Sequence, residues 1–523
     1  MVNNAANTSI NMQGVDTIVA VPQWYVNFNL ANILQTGKTT TGGSLKDVSI
    51  GLKNQQNFYL KAVIGSLSTV LHVEGSTTKV VFMVSFTSGS LDYYDLDVSP
   101  PERKAADVSG VSFAFLVDLS IKDLENDANL PANVKAEVKA RMSNLGPGAF
   151  TIQQFFMDLT ESAVSRVDQT HTVFPETFPP SARITIKNYL AVYIDQIRQT
   201  GGHILGYSVK VQNPGGVSDP VASFPPTALM LVTNQYTPGN GENPDSETAD
   251  LDTINYLMMT GAKPVFPSNL KPWWGNFIVP GDDKTGRYGT MAMESNLFIR
   301  EFLLKRLAPI VCTYAELSDQ NDSLDMKYTT KAGKFTPTAL GGTWSSGELS
   351  SKSHKSGDDA WYTFNFNVDL SVDPGAGTIV IKRNTNFSVK VDTSSTFQVW
   401  YEIPLTLTIS LTGIEKGALQ VSVDEKTKQK APHTLYGDPY GWLITKVQGD
   451  WPIWVWSGDT LEQTIDKAIG AAVPEAVPAN ITETIKNTLN PAPFVFPGGA
   501  ELFMKDPVFS SSGDLLISLQ YKG

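Results

Sequence analysis

The stretch FQVWYEIPLTLTISL, Phe397 to Leu411, alternates apolar and polar positions along its length. Phe397, Val399, Tyr401, Ile403, Leu405, Leu407, Ile409 and Leu411 fall on one side; Gln398, Trp400, Glu402, Pro404, Thr406, Thr408 and Ser410 fall on the other. A period of two predicts a β-strand with one dry face. Fully extended it would reach about 50 Å, against about 17–20 Å for a typical strand. Burying eight such side chains yields roughly 12–24 kcal/mol. Ordering the backbone costs a comparable roughly 15–30 kcal/mol. The strand therefore needs cover along its whole apolar face, from a second sheet or a long helix.

The same alternation predicts neighbouring strands. In YTFNFNVDLSV, Tyr362, Phe364, Phe366, Val368, Leu370 and Val372 point inward; DPGAG then makes a turn, and TIVIKRNTNFSVKVD returns with Ile379, Ile381, Phe387, Val389 and Val391. LQVSVD follows a turn near Gly413 and Gly417, and ELFMKDPVFSSSGDLLISLQY closes the chain with two short strands. Further upstream, VSFAFLVDLSI alternates from Val111 to Ile121.

Helical spacing appears elsewhere. PQWYVNFNLANIL starts at Pro22 and puts Val26, Leu30, Ile33 and Leu34 on one side. NVKAEVKARM aligns Val134, Val138 and Met142, and FTIQQFFMDL reads as a further helix. ARITIKNYLAVYIDQIRQTGG aligns Ile186, Leu190, Tyr193, Ile194 and Ile197, with Gly201 as its stop. Asp459 and Glu462, then Asn480 and Glu483, have capping-box spacing at two later helix starts. The most apolar segment is MAMESNLFIREFLLKRLAPI, Met291 to Ile310, where Glu301 and Lys305 form a narrow polar stripe on an otherwise apolar circumference. A helix apolar nearly all round must be enclosed by protein. The predicted fold class is thus α+β: long, strongly curved antiparallel β-sheets wrapped around long apolar helices. Such a groove suits an acyl chain. Its candidate lining is Leu297, Phe298, Phe302 and Leu304 on the helix, with Tyr401 and Leu407 on the strand. The turn-rich run YTPGNGENPDSETAD divides the chain into two tightly associated modules, 1–235 and 251–523, with 236–250 as a loop or linker.

Charge narrows the function. Lys and Arg number 40 against 52 Asp and Glu, a net charge of −12, which argues against nucleic acid as a partner. The single cysteine, Cys312, rules out an intrachain disulfide. The N-terminal MVNNAANTSINMQG has neither a basic nor an apolar signal region, and no apolar run reaches transmembrane length. The expectation is a soluble protein, cytoplasmic or released without a cleaved signal, touching membrane surfaces transiently if at all.

No catalytic, metal or cofactor constellation emerges. His72, His171, His203, His354 and His433 are scattered without ligand spacing. GDDKTG lacks phosphate-loop spacing, and DSETAD and SDQNDSLD lack the full calcium-loop pattern. Aromatic clustering is denser: Trp442, Trp451, Trp454 and Trp456 fall within fifteen residues, and Trp273 and Trp274 adjoin. Such rings suit a bilayer interface, a sugar face or ordinary packing. Lys426, Lys428 and Lys430 suit a headgroup phosphate or a solvated hairpin tip.

Six stretches carry a family resemblance: DTIVAVPQWYVNFNL, FTIQQFFMDL, HILGYSV, LDTINYLMMTG, MAMESNLFIREFLLKRLAPI and FPGGAELFMKDPVFSSSGDLLISLQY. In this order, spread over nearly the whole chain, they resemble the tubular lipid-binding (TULIP) superfamily. Within it they are most similar to the forty-seven-kilodalton and OrfX proteins of clostridial neurotoxin clusters. The resemblance implies a helix-wrapped sheet, lipid or phosphoinositide binding, and a non-enzymatic, toxin-associated role with a toxin or toxin-complex protein as possible partner. It carries over no individual site residue. The expectation is a binding protein for a lipid or other apolar small molecule in a toxin-associated or host-interaction system. The alternatives are an insecticidal, membrane- or glycan-contacting toxin component acting through its tryptophans, and a purely structural partner-binding protein.

Overall fold

The computed structural model describes residues 12–39, 42–52, 55–126, 132–141, 150–160, 165–211, 224, 226–237, 248–260, 265–271, 277–278, 281, 286–304, 313–320, 323–330, 334–338, 341–355, 358–373, 376–392, 397–415, 418–425, 494–495 and 502–521. The predicted Trp442, Trp451, Trp454 and Trp456 cluster, Trp273, Trp274, Lys426, Lys428, Lys430, Cys312, and the two helices starting at Asp459 and Asn480 lie outside them.

The described chain is mostly antiparallel β-sheet, with three α-helices among the described residues. An N-terminal sheet is built on two long strands, Gln55–Val70 and Lys79–Asp95. The second strand offers one edge to two partners in succession: Glu102–Asp107 takes residues 90–95 and Ser112–Asp123 takes 79–85. The sheet continues through Phe150–Met157 and Ile204–Val211. Register shifts at Val63 to Ser66 curl the long pair. Gly89, at φ +133°, supplies the backbone conformation opposite, where a Cβ would collide with the main chain of Lys61 and Ala62.

The curl is filled by α1 (Gln23–Thr36) and α3 (Pro180–Gln199), while α2 (Ala132–Arg141) is short. The stripes read from the sequence are the buried ones. On α1, Val26, Leu30 and Leu34 are buried and Ile33 packs against them; on α3, Ile186, Leu190, Tyr193, Ile194 and Ile197 are all buried. Gly201, at φ +75°, ends α3 as expected. Asn27 fixes α1 to the long strand: its Oδ1 accepts from the Thr69 N–H (2.7 Å) and hydroxyl (3.0 Å), and its Nδ2 donates to the Thr69 carbonyl (3.2 Å).

A central sheet orders its strands 502–509, 515–521, 287–293, 17–22, 253–260 and 226–234. The strand Thr17–Pro22 thus lies between Thr253–Thr260 and Arg287–Met293, partners far away in sequence. Both faces of this sheet are covered. Val19, Val21, Ile254, Tyr256 and Met291 face the main core, and Ile18, Ala20, Leu257, Met259 and Ala292 face a second apolar cluster.

The third sheet runs in sequence order through Lys334–Thr338, Gly341–Lys355, Asp358–Asp373, Thr378–Asp392, Phe397–Glu415 and Ala418–Glu425. The long alternating stretch is indeed a strand, of 19 residues. Pro404 falls beyond Leu407, the last residue paired to Ala418–Glu425, where among the described residues the strand has a partner on one side only. Leu407 and Ile409 are fully buried with their cross-strand partners Ile381 and Ile379, and the strand packs on Leu502–Phe509 of the central sheet.

Two predicted helices are corrected. FTIQQFFMDL is the strand Phe150–Met157, whose Phe155 and Met157 point inward. The long apolar helix over Met291–Ile310 is absent from the described part of that span. Arg287–Met293 is a central strand, and Asn296–Leu304 is a nine-residue helix of the wider π type. Residues 305–310 lie outside the described ones. The physical reason is that a strand buried on both faces is as uniformly apolar as an enclosed helix, so adjoining segments of each kind read as one. Among the described residues the sheets therefore do not wrap long apolar helices. In the N-terminal part the filling helices are amphipathic, and the described portion of the long strand finds its cover in another sheet.

Candidate functional site

An apolar cleft opens where α1 crosses the ends of three strands. Val21, Tyr25, Val26, Asn29, Leu30 and Ile33 line one wall; Met157, Ile204, Leu205 and Tyr256 line the other. It spans about 330 Å³ counting space open to solvent, and its tight interior of about 20 Å³ has room for about one water. Helical spacing brings the α1 residues together, since 26, 29, 30 and 33 share a face. Asn29 is the one strongly polar side chain in the lining.

The polar atoms of the far wall are mostly spoken for. The Tyr256 hydroxyl donates to the Leu205 carbonyl at 3.1 Å. Burial foremost, and Tyr25 beside it, push the Tyr256 phenol far above its ordinary range, so it stays a neutral donor. Phe155 meets the Tyr256 ring edge-on, with centroids 5.0 Å apart. At the start of α1, Trp24, Tyr25 and Tyr288 pack together with centroids 5.1–6.0 Å apart. Phe28 stacks on Tyr25 at 6.4 Å while remaining 47% exposed. Of these rings Tyr25 and Tyr256 line the cleft, while Trp24, Phe28 and Tyr288 lie outside its lining.

The start of α1 is held by a polar knot. Its first N–H, from Gln23, donates to the Asp252 carbonyl at 2.7 Å, and the Gln23 Oε1 accepts from the Leu71 N–H at 2.7 Å. The Asp252 carboxylate accepts from the Tyr236 N–H at 2.7 Å. Burial pushes this carboxyl up to about 6, with the charge of Asp250 adding to the rise and the Tyr236 bond opposing it.

The groove residues predicted from sequence lie elsewhere. Phe298, Phe302 and Leu407 are buried in the main core and Leu297 packs against it. Phe302 stacks on Phe298 (5.7 Å) and touches Phe224 (4.8 Å), and Phe298 reaches Phe509 (6.1 Å). The backbone of Tyr401 pairs with Phe387, and Leu304 ends the short helix. The cleft residues themselves were visible only in part: Val26, Leu30 and Ile33 belong to the stripe read on α1, whereas the far wall assembles from three separate parts of the sequence.

Other chemistry is sparse. His171 and Asp168 form a 2.9 Å pair inside a tight turn, closed by the His171 N–H on the same carboxylate. Among the described residues no group of three or more His, Cys, Asp or Glu side chains is placed to hold a metal ion. No helix of the described residues is long and apolar enough to cross a membrane.

No protein-family model matches the sequence, and no curated protein is similar to it in sequence. Solved structures do match. P47 of Clostridium botulinum E1 is 9% identical, with 98% of this chain and 100% of that chain covered at a TM-score of 0.49. P47 from Clostridium botulinum A2 is 10% identical over 99% and 100% of the two chains, with a TM-score of 0.48. A lipopolysaccharide binding protein is 9% identical over 97% and 99%, with a TM-score of 0.32. Each of these likenesses runs along nearly the whole length of both chains.

Proposed function

We propose that this chain is a non-enzymatic binding protein for an acyl-bearing lipid, serving a toxin-associated system. The observation that carries the reading is the cleft under α1, a nearly all-apolar seam between a helix and strand ends. Apolar lining with few polar groups is the character of small-ligand sites. The seam holds only about one water as it stands, so the acyl chain enters as α1 moves outward from Met157 and Ile204. The toxin-associated setting follows the resemblance of the six scattered sequence stretches to the forty-seven-kilodalton and OrfX proteins.

Native mass spectrometry of the purified chain tests this directly, with co-purifying lipid as the expected result. Ile33→Trp, at the half-buried rim of the cleft, fills the seam and is expected to remove that lipid while leaving the circular dichroism spectrum unchanged. A wild-type chain that carries no lipid, and takes up none from oleate, refutes the reading.

A further inference from the structure

Two of the strands that form the far wall of the cleft, Phe150–Met157 and Ile204–Val211, carry a polar rung further along their inner face. Asp123, Gln153 and Ser208 are directly paired across three adjacent strands, so their side chains share one face. That face is the one on which Phe155 and Met157 point into the main core. Gln153 Nε2 donates to the Asp123 carboxylate and reaches the Thr151 hydroxyl at 3.3 Å. Ser208 is fully buried, and its hydroxyl has no hydrogen-bond partner among the described residues. Asp123, at the other end of the rung, is only half-buried. A buried hydroxyl left unpaired is unfavourable in the empty protein, and a guest that supplies its partner removes that penalty.

We infer that the Asp123–Gln153–Ser208 rung is the head-group subsite for an amphiphile whose chain runs along Phe155 and Met157 toward the cleft under α1, and that it selects a neutral, hydroxyl-bearing head. This rests on the lipid-binding reading and deepens it. From Gln153 to Met157 is four residues, about 13 Å of strand, a span suited to an acyl chain beginning at the rung. The chemistry of the rung sets the head. The Asp123 carboxylate only accepts, so it favours a donor and repels a carboxylate or phosphate. The Ser208 hydroxyl both donates and accepts, as a glycerol hydroxyl requires of its partner.

The experiment compares monoolein with oleate, which share a chain and differ in head, titrated calorimetrically from cyclodextrin into the full-length protein and its Ser208→Ala variant. Monoolein is expected to bind about tenfold tighter than oleate, the worth of one good hydrogen bond. Ser208→Ala is expected to erase that preference while raising the thermal midpoint of the lipid-free protein, a pairing that a purely structural serine would not give. Gln153→Leu, checked for fold by circular dichroism, provides a second variant with the same expected loss of preference. Equal binding of the two ligands overturns the inference and leaves the lipid-binding reading standing. Tighter binding of oleate also overturns it, and is the result expected if the ammonium of Lys210, one rung further out beside Thr151, set the preference. Binding of neither ligand overturns both.

Discussion

Replacing Asp252 by asparagine isolates the energetics of the knot that holds α1. The side chain is 3% exposed, and its carboxyl is raised from an ordinary 3.8 to about 6. A folded-state value above the unfolded one means the native state favours the protonated form. That contribution to stability is fully present below about 3.8 and is lost as pH rises through about 6. The difference corresponds to at most about 3 kcal/mol by pH 7.5, and solvent near the site reduces it. Asparagine keeps an oxygen to accept the Tyr236 N–H but never acquires the charge. Asp252→Asn is therefore expected to match wild type near pH 4 and to exceed it by about 1–3 kcal/mol at pH 7.5. Urea unfolding of both proteins between pH 4 and 8 reads this difference directly, and the comparison cancels the titration of every other group, including Asp514, which burial also raises. A variant less stable than wild type at pH 7.5, or parallel to it across the whole range, would show that the carboxylate is held by favourable contacts and not strained by burial.

Three further outcomes are expected. Asn27→Ala removes the bonds to Thr69, whose residue is 1% exposed, and is expected to cost about 1–3 kcal/mol; hydrogen exchange of α1 should speed up before that of α3. Gly89→Ala forces a Cβ against the backbone of Lys61 and Ala62 at a positive φ of +133°; a loss of about 3 kcal/mol or more, or insoluble protein, is expected, whereas Gly75→Ala, at φ +72° with open space around it, should be far milder. Phe302→Ala is expected to cost about 3–5 kcal/mol in urea unfolding, because its ring is locked between Phe298 and Phe224; a much smaller cost would mean that the ring borders space that a ligand could fill.

Local periodicity settles much of this chain. The strand Thr378–Asp392 coincides with its predicted limits, and the stripes of α1 and α3 are the buried ones, because a period of two or of 3.6 is written in neighbouring residues. Where apolar residues crowd, the period vanishes. Phe150–Met157 carries Phe155, Phe156 and Met157 in succession, and Met291, Ala292 and Met293 are buried together, so strand and helix predict the same letters there. What decides between them is the pairing partner. Thr17–Pro22 is a central strand because residues more than two hundred positions away flank it on both sides. The cleft has the same origin: α1 supplies one wall by its own helical repeat, but Met157, Ile204 and Tyr256 become the opposite wall only when distant strands meet at one place. Sequence alone determined which side of α1 and of α3 is dry. Tertiary structure decided what each dry side meets, because burial is a contact between parts of the chain that carry no local record of one another.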